Sequence, residues 1–140
     1  MLRVVLDTHI LVAGLRSRRG ASYRVLSLLP ARRFDVVLSV PLVLEYEDAL
    51  MRAGLVETLT QSDVEDVLDY LCQVGVHQEI FYLWRPLLRD PKDDMVVELA
   101  VAGGCDAIVT FNCRDFEEAS NFAVRVLTPQ QLLTELGEQA

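Results

Sequence analysis

Short apolar runs recur along this chain, and longer stretches with helical spacing separate them. The runs are RVVL at 3–6, FDVVLS at 34–39, DAIVTF at 106–111 and AVRVLT at 123–128, with a more polar segment, VHQEIFYL, at 76–83. Continuous apolar strands are typical of a parallel sheet covered by helices on both faces, and their alternation with helices is typical of βαβ units. We therefore predict an α/β fold, a three-layer αβα sandwich around a parallel sheet of about five strands.

The segments between these runs carry the start and stop signals of helices. Helical spacing covers HILVAGL, SYRVLSLL, PLVLEYEDALMRAG, TQSDVEDVLDYLCQVG, PKDDMVVELAVAGG and PQQLLTELG. Pro41 near a helix start and Gly54 at its end follow the usual asymmetry, and Asp90 stands where a cap for the helix from Pro91 is expected. The sequence contains no internal repeat or linker, so we expect one domain over residues 1–140.

Charge is distributed unevenly along the chain. The formal net charge is −8, yet residues 1–33 contain seven arginines and one acid, which leaves +6 on this segment and −14 on the remainder. The total argues against a protein that coats nucleic acid through bulk charge. The basic segment either binds a polyanion or is a solvated helix face, and charge patterning leaves both interpretations open.

Cysteine spacing and hydropathy predict the compartment. The three cysteines lack the paired C-x-x-C spacing of a zinc or redox site, and we interpret them as small buried residues in a reducing cytosol. No run approaches the roughly 20 uncharged apolar residues of a membrane span, and Asp7 and His9 interrupt the first apolar run. We therefore expect a cytoplasmic protein that has no membrane partner.

A small group of polar residues lies where predicted strands end or helices begin. Asp7 ends the first strand, Asp93 lies in the first turn of its helix, and Asn112 and Asp115 follow the strand at 106–111. Strand carboxyl ends and the following helix starts share one edge of a parallel sheet, where open α/β sheets bind their ligands. These side chains are therefore expected to converge.

Glu45 is a further candidate acid. On a helical wheel it borders the apolar stripe of Leu42, Tyr46, Ala49 and Ala53, where a charge needs a partner. The partner is either an arginine in a structural salt bridge or a divalent cation. Mg²⁺ and Mn²⁺ take oxygen ligands and relieve the repulsion among carboxylates that share one cleft.

Each candidate also has a structural interpretation. Asp7 can cap a helix, and Asp93 can be a carboxylate that interacts only with the helix dipole. Asp115 can cap a short turn, and His9 can be a packing or hydrogen-bonding residue. Some other phosphate chemistries are excluded. The chain has no P-loop or GxGxxG turn, a HAD-type phosphatase needs an acid at the position of His9, and Lys92, the only lysine, does not follow a strand as a receiver domain requires.

Four fragments together resemble the PIN-domain ribonucleases, in particular the VapC-like toxins of bacterial and archaeal toxin–antitoxin pairs. The fragments are VVLDTHILVAGL, LSVPLVLEYEDAL, RDPKDDMVVELAVAGGCDAIVTFNCRDF and VRVLTPQQLL, in the family's order and over essentially the whole chain. The resemblance implies a single PIN domain over residues 1–140 with a Rossmann-like fold. It also implies metal-dependent endonucleolytic cleavage of RNA.

The first three acids of the family fall on Asp7, Glu45 and Asp93. Asp93 is chosen over Asp94 because the family places its third acid seven residues before a helix alanine, which here is Ala100. The resemblance implies that the three acids are catalytic and hold one or two Mg²⁺ or Mn²⁺ ions.

The fourth acidic position departs from the commonest family pattern. Many members have an aspartate where this chain has Asn112, whereas others read Thr-x-Asn-x-x-Asp-Phe, which TFNCRDF matches from Thr110 to Phe116. The resemblance thus implies that Asp115 is the fourth catalytic and metal-binding acid, with Asn112 as a further ligand and Thr110 in support. Thr8 matches the supporting hydroxyl residue after the first acid. His9 stands where the family more often has asparagine, so its role is open.

RNA and protein partners complete these expectations. We expect Arg16, Arg18 and Arg19 to contact the RNA backbone. A toxin implies a cognate antitoxin and a homodimer, and the helices at 41–53 and 61–74 are the expected interface for either. The alternative is a catalytically degenerate PIN fold that serves as an RNA- or protein-binding module, which Asn112 in place of an acid favours.

Overall fold

The computed structural model describes residues 1–52, 59–80 and 91–138, apart from the side chains of residues 91 and 92. The strands are β1 (Arg3–Leu6), β2 (Asp35–Leu38), β3 (Val76–His77), β4 (Ala107–Val109) and β5 (Arg125–Leu127). The helices are α1 (Thr8–Arg16), α2 (Ala21–Ser27), α3 (Val40–Met51), α4 (Gln61–Val74), α5 (Pro91–Ala102) and α6 (Pro129–Glu135). Two 3-10 segments cover Leu29–Ala31 and Cys113–Phe122, the second with a kink at Phe116.

The strands form one parallel sheet in the order β3-β2-β1-β4-β5. In β1 the consecutive residues Val4, Val5 and Leu6 are all fully buried. Successive side chains of a strand point to opposite faces, so both faces of the sheet are covered. The predicted αβα sandwich with five parallel strands is confirmed.

The strand order places a switch point between β1 and β4. From β1 the chain runs outward through β2 to β3, and it then returns to the other side of β1 for β4 and β5. Connections therefore leave the two central strands in opposite directions, which opens a crevice at their carboxyl ends. Asp7 follows β1 at this crevice and Thr110 follows β4.

Polar caps begin three of the helices directly after strands. The Asp7 carboxylate accepts a hydrogen bond from the Thr8 amide at 2.8 Å, and the Ser39 hydroxyl accepts one from the Leu42 amide at 3.2 Å. Thr128 caps α6 in the same way. Each cap satisfies an amide that has no partner within its helix. The caps therefore place polar side chains along the carboxyl edge of the sheet.

Two predicted features differ in the structure. The third strand covers only Val76–His77 of the predicted 76–83, and residues 81–83 lie outside the described residues. The predicted cap Asp90 and helix end Gly54 also lie outside them. The 3-10 segment at Cys113–Phe122 was not predicted, because this polar stretch is divided by a kink and lacks the spacing of a continuous helix.

The cysteine prediction is correct in part, since Cys105 is buried whereas Cys72 and Cys113 are only half-buried. All three are free thiols. None of the described helices combines the length and the apolar character needed to cross a membrane.

Candidate functional site

A cleft of about 380 Å³ opens beside the carboxyl end of β1. Three helices line it: α1 with His9, Val12 and Arg16, α3 with Glu45, Ala49 and Arg52, and α5 with Asp93 and Val96, while Asp7 and Thr8 lie where α1 begins. Residues three or four apart share one face of a helix, so each helix contributes a single face. The cleft brings together Asp7, Glu45 and Asp93 from three separate parts of the chain.

Asp7 is the most buried of these acids, with only 6% of its surface exposed. One carboxylate oxygen accepts the Thr8 amide, and the other accepts the Thr110 hydroxyl at 2.8 Å. Burial raises the pKa of Asp7 above its usual value, although hydrogen bonds from Thr110 and Thr8 and the charge of His9 act to lower it. Asp7 is therefore both a helix cap and a residue of the cleft, so the two interpretations of its position are compatible.

Thr110 connects the ends of the two central strands. Its side chain is fully buried, and its hydroxyl donates to Asp7 while accepting a hydrogen bond from the Asn112 amide at 3.0 Å. The hydroxyl is thus oriented by a donor on one side and an acceptor on the other. The sequence predicted a supporting role for Thr110 without naming its partner, and in the structure its hydroxyl bonds to Asp7.

Tyr46 fixes α3 against the end of β1. Its side chain is fully buried, and its hydroxyl donates to the carbonyl oxygen of Leu6 at 2.5 Å. Burial and the nearby charge of Asp7 raise the pKa of Tyr46 above its usual value, and the protonated hydroxyl acts as the donor. Glu45 is the preceding residue, so this bond fixes the place of the α3 acid relative to Asp7. From the sequence, Tyr46 was predicted only as a member of the apolar stripe, although a buried tyrosine hydroxyl needs a partner.

Arg52 is a cleft residue that sequence analysis did not single out. Its guanidinium lies 2.9 Å from the Asp48 carboxylate, one helical turn earlier. The hydrogen bond and charge of Asp48 raise the pKa of Arg52, and the charge of Glu45 adds to this effect. Arg52 is the C-cap of α3 and has extended backbone, so helical spacing provided no signal that it faces the cleft. Together with Arg16, Arg52 adds positive charge to an otherwise acidic cleft.

In the described part of the chain, the remaining predicted residues are not among those that line the cleft. Asn112 and Asp115 are exposed at the start of the 3-10 segment that follows β4, and neither is among the described residues that line the cleft. The charge of Asp115 nevertheless raises the pKa of Asp7. Arg18 and Arg19 are exposed in the loop after α1. Their roles, and that of Asn112 or Asp115 as a fourth ligand, stay predictions.

The chemistry of the cleft acids suits a hard divalent cation. In the part of the chain that the structure describes, no three histidine, cysteine, aspartate or glutamate side chains are grouped closely enough to hold a metal ion. The three cleft acids nevertheless offer oxygen donors, which Mg²⁺ and Mn²⁺ prefer. A cation beside the Asp7 carboxylate would offset the desolvation that raises the pKa of Asp7.

Comparison with known proteins gives a family and a fold. Residues 3–114 match the family model of the PIN domain, and no curated protein matches the sequence. The structure is similar to a chain in the crystal structure of VapBC2 from Rickettsia felis bound to a DNA fragment from their promoter. The TM-score is 0.62 and the identity 17%, over 89% of this chain and 98% of that chain. At this identity the likeness shows a shared fold.

Proposed function

This chain belongs to the PIN-domain family, and from that premise we propose that it is a divalent-metal-dependent endoribonuclease, the toxin of a toxin–antitoxin pair. The observation that carries the proposal is that Asp7, Glu45 and Asp93 line one cleft at the switch point of the sheet. Their carboxylate oxygens are the donors that Mg²⁺ and Mn²⁺ prefer in proteins. We also propose that residues 1–140 form a single domain.

The three acids would hold one or two Mg²⁺ or Mn²⁺ ions, with Asp115 or Asn112 completing the ligand set. When bound, the metal supplies charge neutralisation at a scissile phosphodiester and lowers the pKa of a bound water.

The side chains around the acids prepare the cleft for this role. The Thr8 amide and the Thr110 hydroxyl hold the two oxygens of Asp7 in fixed directions. Val12, Ala49 and Val96 give the cleft apolar walls. Such walls exclude water, which strengthens electrostatic interactions between the protein and a bound phosphate.

Arginines at the cleft supply contacts for the RNA backbone. Arg16 and Arg52 line the cleft, and Arg18 and Arg19 continue the positive charge along the exposed loop after α1. Phosphate contacts of this kind position a strand without reading its sequence. They allow a protein of net charge −8 to bind a polyanion locally.

We propose an antitoxin partner and a homodimer, and the likeness to a chain of the VapBC2 complex supports the first of these. A groove of about 300 Å³ between α3 and α4 is the proposed interface. Leu44 and Met51 of α3 line it and are exposed. Acidic side chains of both helices stand beside them. A basic amphipathic segment of a partner fits this combination.

Calorimetry with Mn²⁺ and Mg²⁺, together with an RNA cleavage assay, tests the proposal. Glu45→Gln and Asp93→Asn should lose both metal binding and cleavage. Glu47→Gln is the matched control, because Glu47 lies on the same helix and lines the α3–α4 groove instead. Asp94→Asn tests the choice of Asp93 over its neighbour. Full cleavage by both cleft variants would disprove the assignment.

A catalytically degenerate PIN fold that binds RNA or protein is the second candidate. Asn112 in place of an acid favours it, as does the lack of a closed metal-ligand cluster among the described residues. This candidate predicts RNA binding with no metal binding at millimolar concentration. The same calorimetry therefore separates the two functions.

A further inference from the structure

Phe111 is an exposed aromatic residue beside the cleft. Its side chain is 49% exposed, although it directly follows the fully buried Thr110, whose hydroxyl contacts Asp7 at 2.8 Å. One chain step adds about 3.8 Å, so the Phe111 backbone lies roughly 9 Å or less from the Asp7 carboxylate. This span corresponds to two or three nucleotides of a stacked strand at about 3.4 Å each.

The backbone on both sides of Phe111 is held in place. The Thr110 amide donates to the Leu127 carbonyl at 2.9 Å, and the Asn112 amide donates to the Thr110 hydroxyl at 3.0 Å. The ring is therefore presented from a fixed position at the edge of the sheet that carries the acids. A platform fixed before binding loses little conformational entropy when a flat ligand packs on it.

We propose that Phe111 is a base-stacking residue that makes the cleft selective for single-stranded RNA over duplex. The inference rests on the proposed function, because it places an RNA strand in the cleft. Arg16 and Arg52 line the cleft and can contact phosphates, and the exposed phenyl ring of Phe111 offers a contact for a base. Every base has a face that can stack on an aromatic side chain, but only an unpaired, splayed base can reach it.

Binding of a labelled single-stranded RNA oligonucleotide, alone or annealed to its complement, tests the proposal. The full chain carries Asp93→Asn to prevent cleavage and is compared with and without Phe111→Leu in Mg²⁺. Phe122→Leu is the matched control, since Phe122 is 41% exposed. It ends the 3-10 segment just before β5 begins, at the opposite edge of the sheet from the cleft.

Phe111→Leu should weaken binding of the single strand by between about 5-fold and 150-fold. It should leave duplex binding within about 2-fold, and Phe122→Leu should change neither. Equal affinity of the Phe111→Leu and parent proteins for the single strand would overturn the inference and leave Phe111 as a surface for a protein partner.

The cleavage assay on chains with Asp93 intact separates the inference from the proposed function. If the wild type cleaves RNA and Phe111→Leu has an unchanged KM, the nuclease proposal stands and the stacking role is wrong. If the wild type does not cleave but Phe111→Leu still reduces single-strand binding, the stacking role stands and the nuclease proposal is wrong. If the wild type neither binds nor cleaves RNA, both are wrong.

Discussion

The hydroxyl of Thr110 donates a hydrogen bond to the Asp7 carboxylate at 2.8 Å, joining residues that lie 103 positions apart in the chain. Asp7 follows β1 and Thr110 follows β4, and these two strands are neighbours in the sheet. The contact therefore exists only because the sheet order places the two strand ends side by side. It also supports the charged form of Asp7 in a place where burial opposes that form.

Thr110→Val should shift the pH dependence of metal binding. Removing the hydroxyl removes an interaction that lowers the pKa of Asp7, so the pKa rises further and the carboxylate becomes protonated at a higher pH. Mn²⁺ affinity is measured by calorimetry from pH 8 down to pH 5. As the pH is lowered, the affinity of Thr110→Val should begin to fall at a higher pH than the affinity of the wild type. Thr110→Ser keeps the donor and should follow the wild-type profile. Identical profiles for the Val and Ser variants would contradict this role.

Asp7→Asn should raise the melting temperature of the metal-free protein at pH 7. The folded-state pKa of Asp7 lies above its unfolded value. The protonated carboxyl of Asp7 therefore stabilises the folded state fully at pH values below the unfolded pKa. This stabilisation is lost as pH rises through the folded pKa, because the folded state then buries a charged carboxylate, which asparagine does not carry. The difference between variant and wild type, measured by thermal unfolding in EDTA, should shrink as pH falls toward 4.

Asp69→Asn is the control for this effect, because Asp69 is exposed on α4. It should leave the melting temperature nearly unchanged over the same pH range. Adding Mg²⁺ should reduce the advantage of Asp7→Asn, since a cation that binds only the wild type stabilises its folded state. A lower melting temperature for Asp7→Asn in EDTA at pH 7 would show that Asp7 is mainly a structural cap.

Tyr46→Phe should destabilise the protein by about 1–3 kcal/mol, because it leaves the buried Leu6 carbonyl without its donor. Chemical denaturation measures this change. Tyr70→Phe on α4 removes a hydroxyl from a much more exposed ring and should change stability by less than about 0.5 kcal/mol. We also expect Tyr46→Phe to weaken Mn²⁺ binding while the protein is fully folded, because α3 then holds Glu45 less firmly. Unchanged Mn²⁺ affinity would limit Tyr46 to a role in stability.

Arg52→Ala should reduce the salt dependence of RNA binding. Each lost phosphate contact reduces the magnitude of the negative slope of log affinity against log salt by about 0.7 for a single strand. Arg125→Ala is the matched control, because Arg125 forms an ion pair of similar length with Glu135, at 2.8 Å, and belongs to β5 at the edge of the sheet. Filter binding between 50 and 300 mM KCl measures both slopes. Equal slopes for the two variants would exclude Arg52 from the RNA contact surface.

The fold was predictable because its signals are local. Residues 4–6 and 107–109 are apolar at every position, which already indicates strands buried on both faces, and the parallel arrangement follows from the helices between them. The third strand was less predictable, because VHQEIFYL mixes polar and apolar residues, and among its described residues, 76–80, only Val76 and His77 form the strand.

The candidate acids were predictable for the same reason, and their neighbours were not. Asp7 ends a strand and Asp93 begins a helix, so both positions can be read from the surrounding residues. Arg52 carries no such signal, because it follows α3 as its C-cap and only the packing of α1, α3 and α5 decides that it faces the cleft. Glu47 and Asp48 face the groove between α3 and α4 instead.

The sequence by itself determined most of the strands and helices and which candidate acids end a strand or begin a helix, because these features depend on interactions among residues a few positions apart. Only the tertiary structure decided that Thr110 bonds to Asp7, that Tyr46 bonds to Leu6, and that Arg52 joins the acids in one cleft. These contacts join segments separated by tens of residues. Their distances are set by the order of the strands and the packing of helices on the sheet, which no short window of sequence encodes.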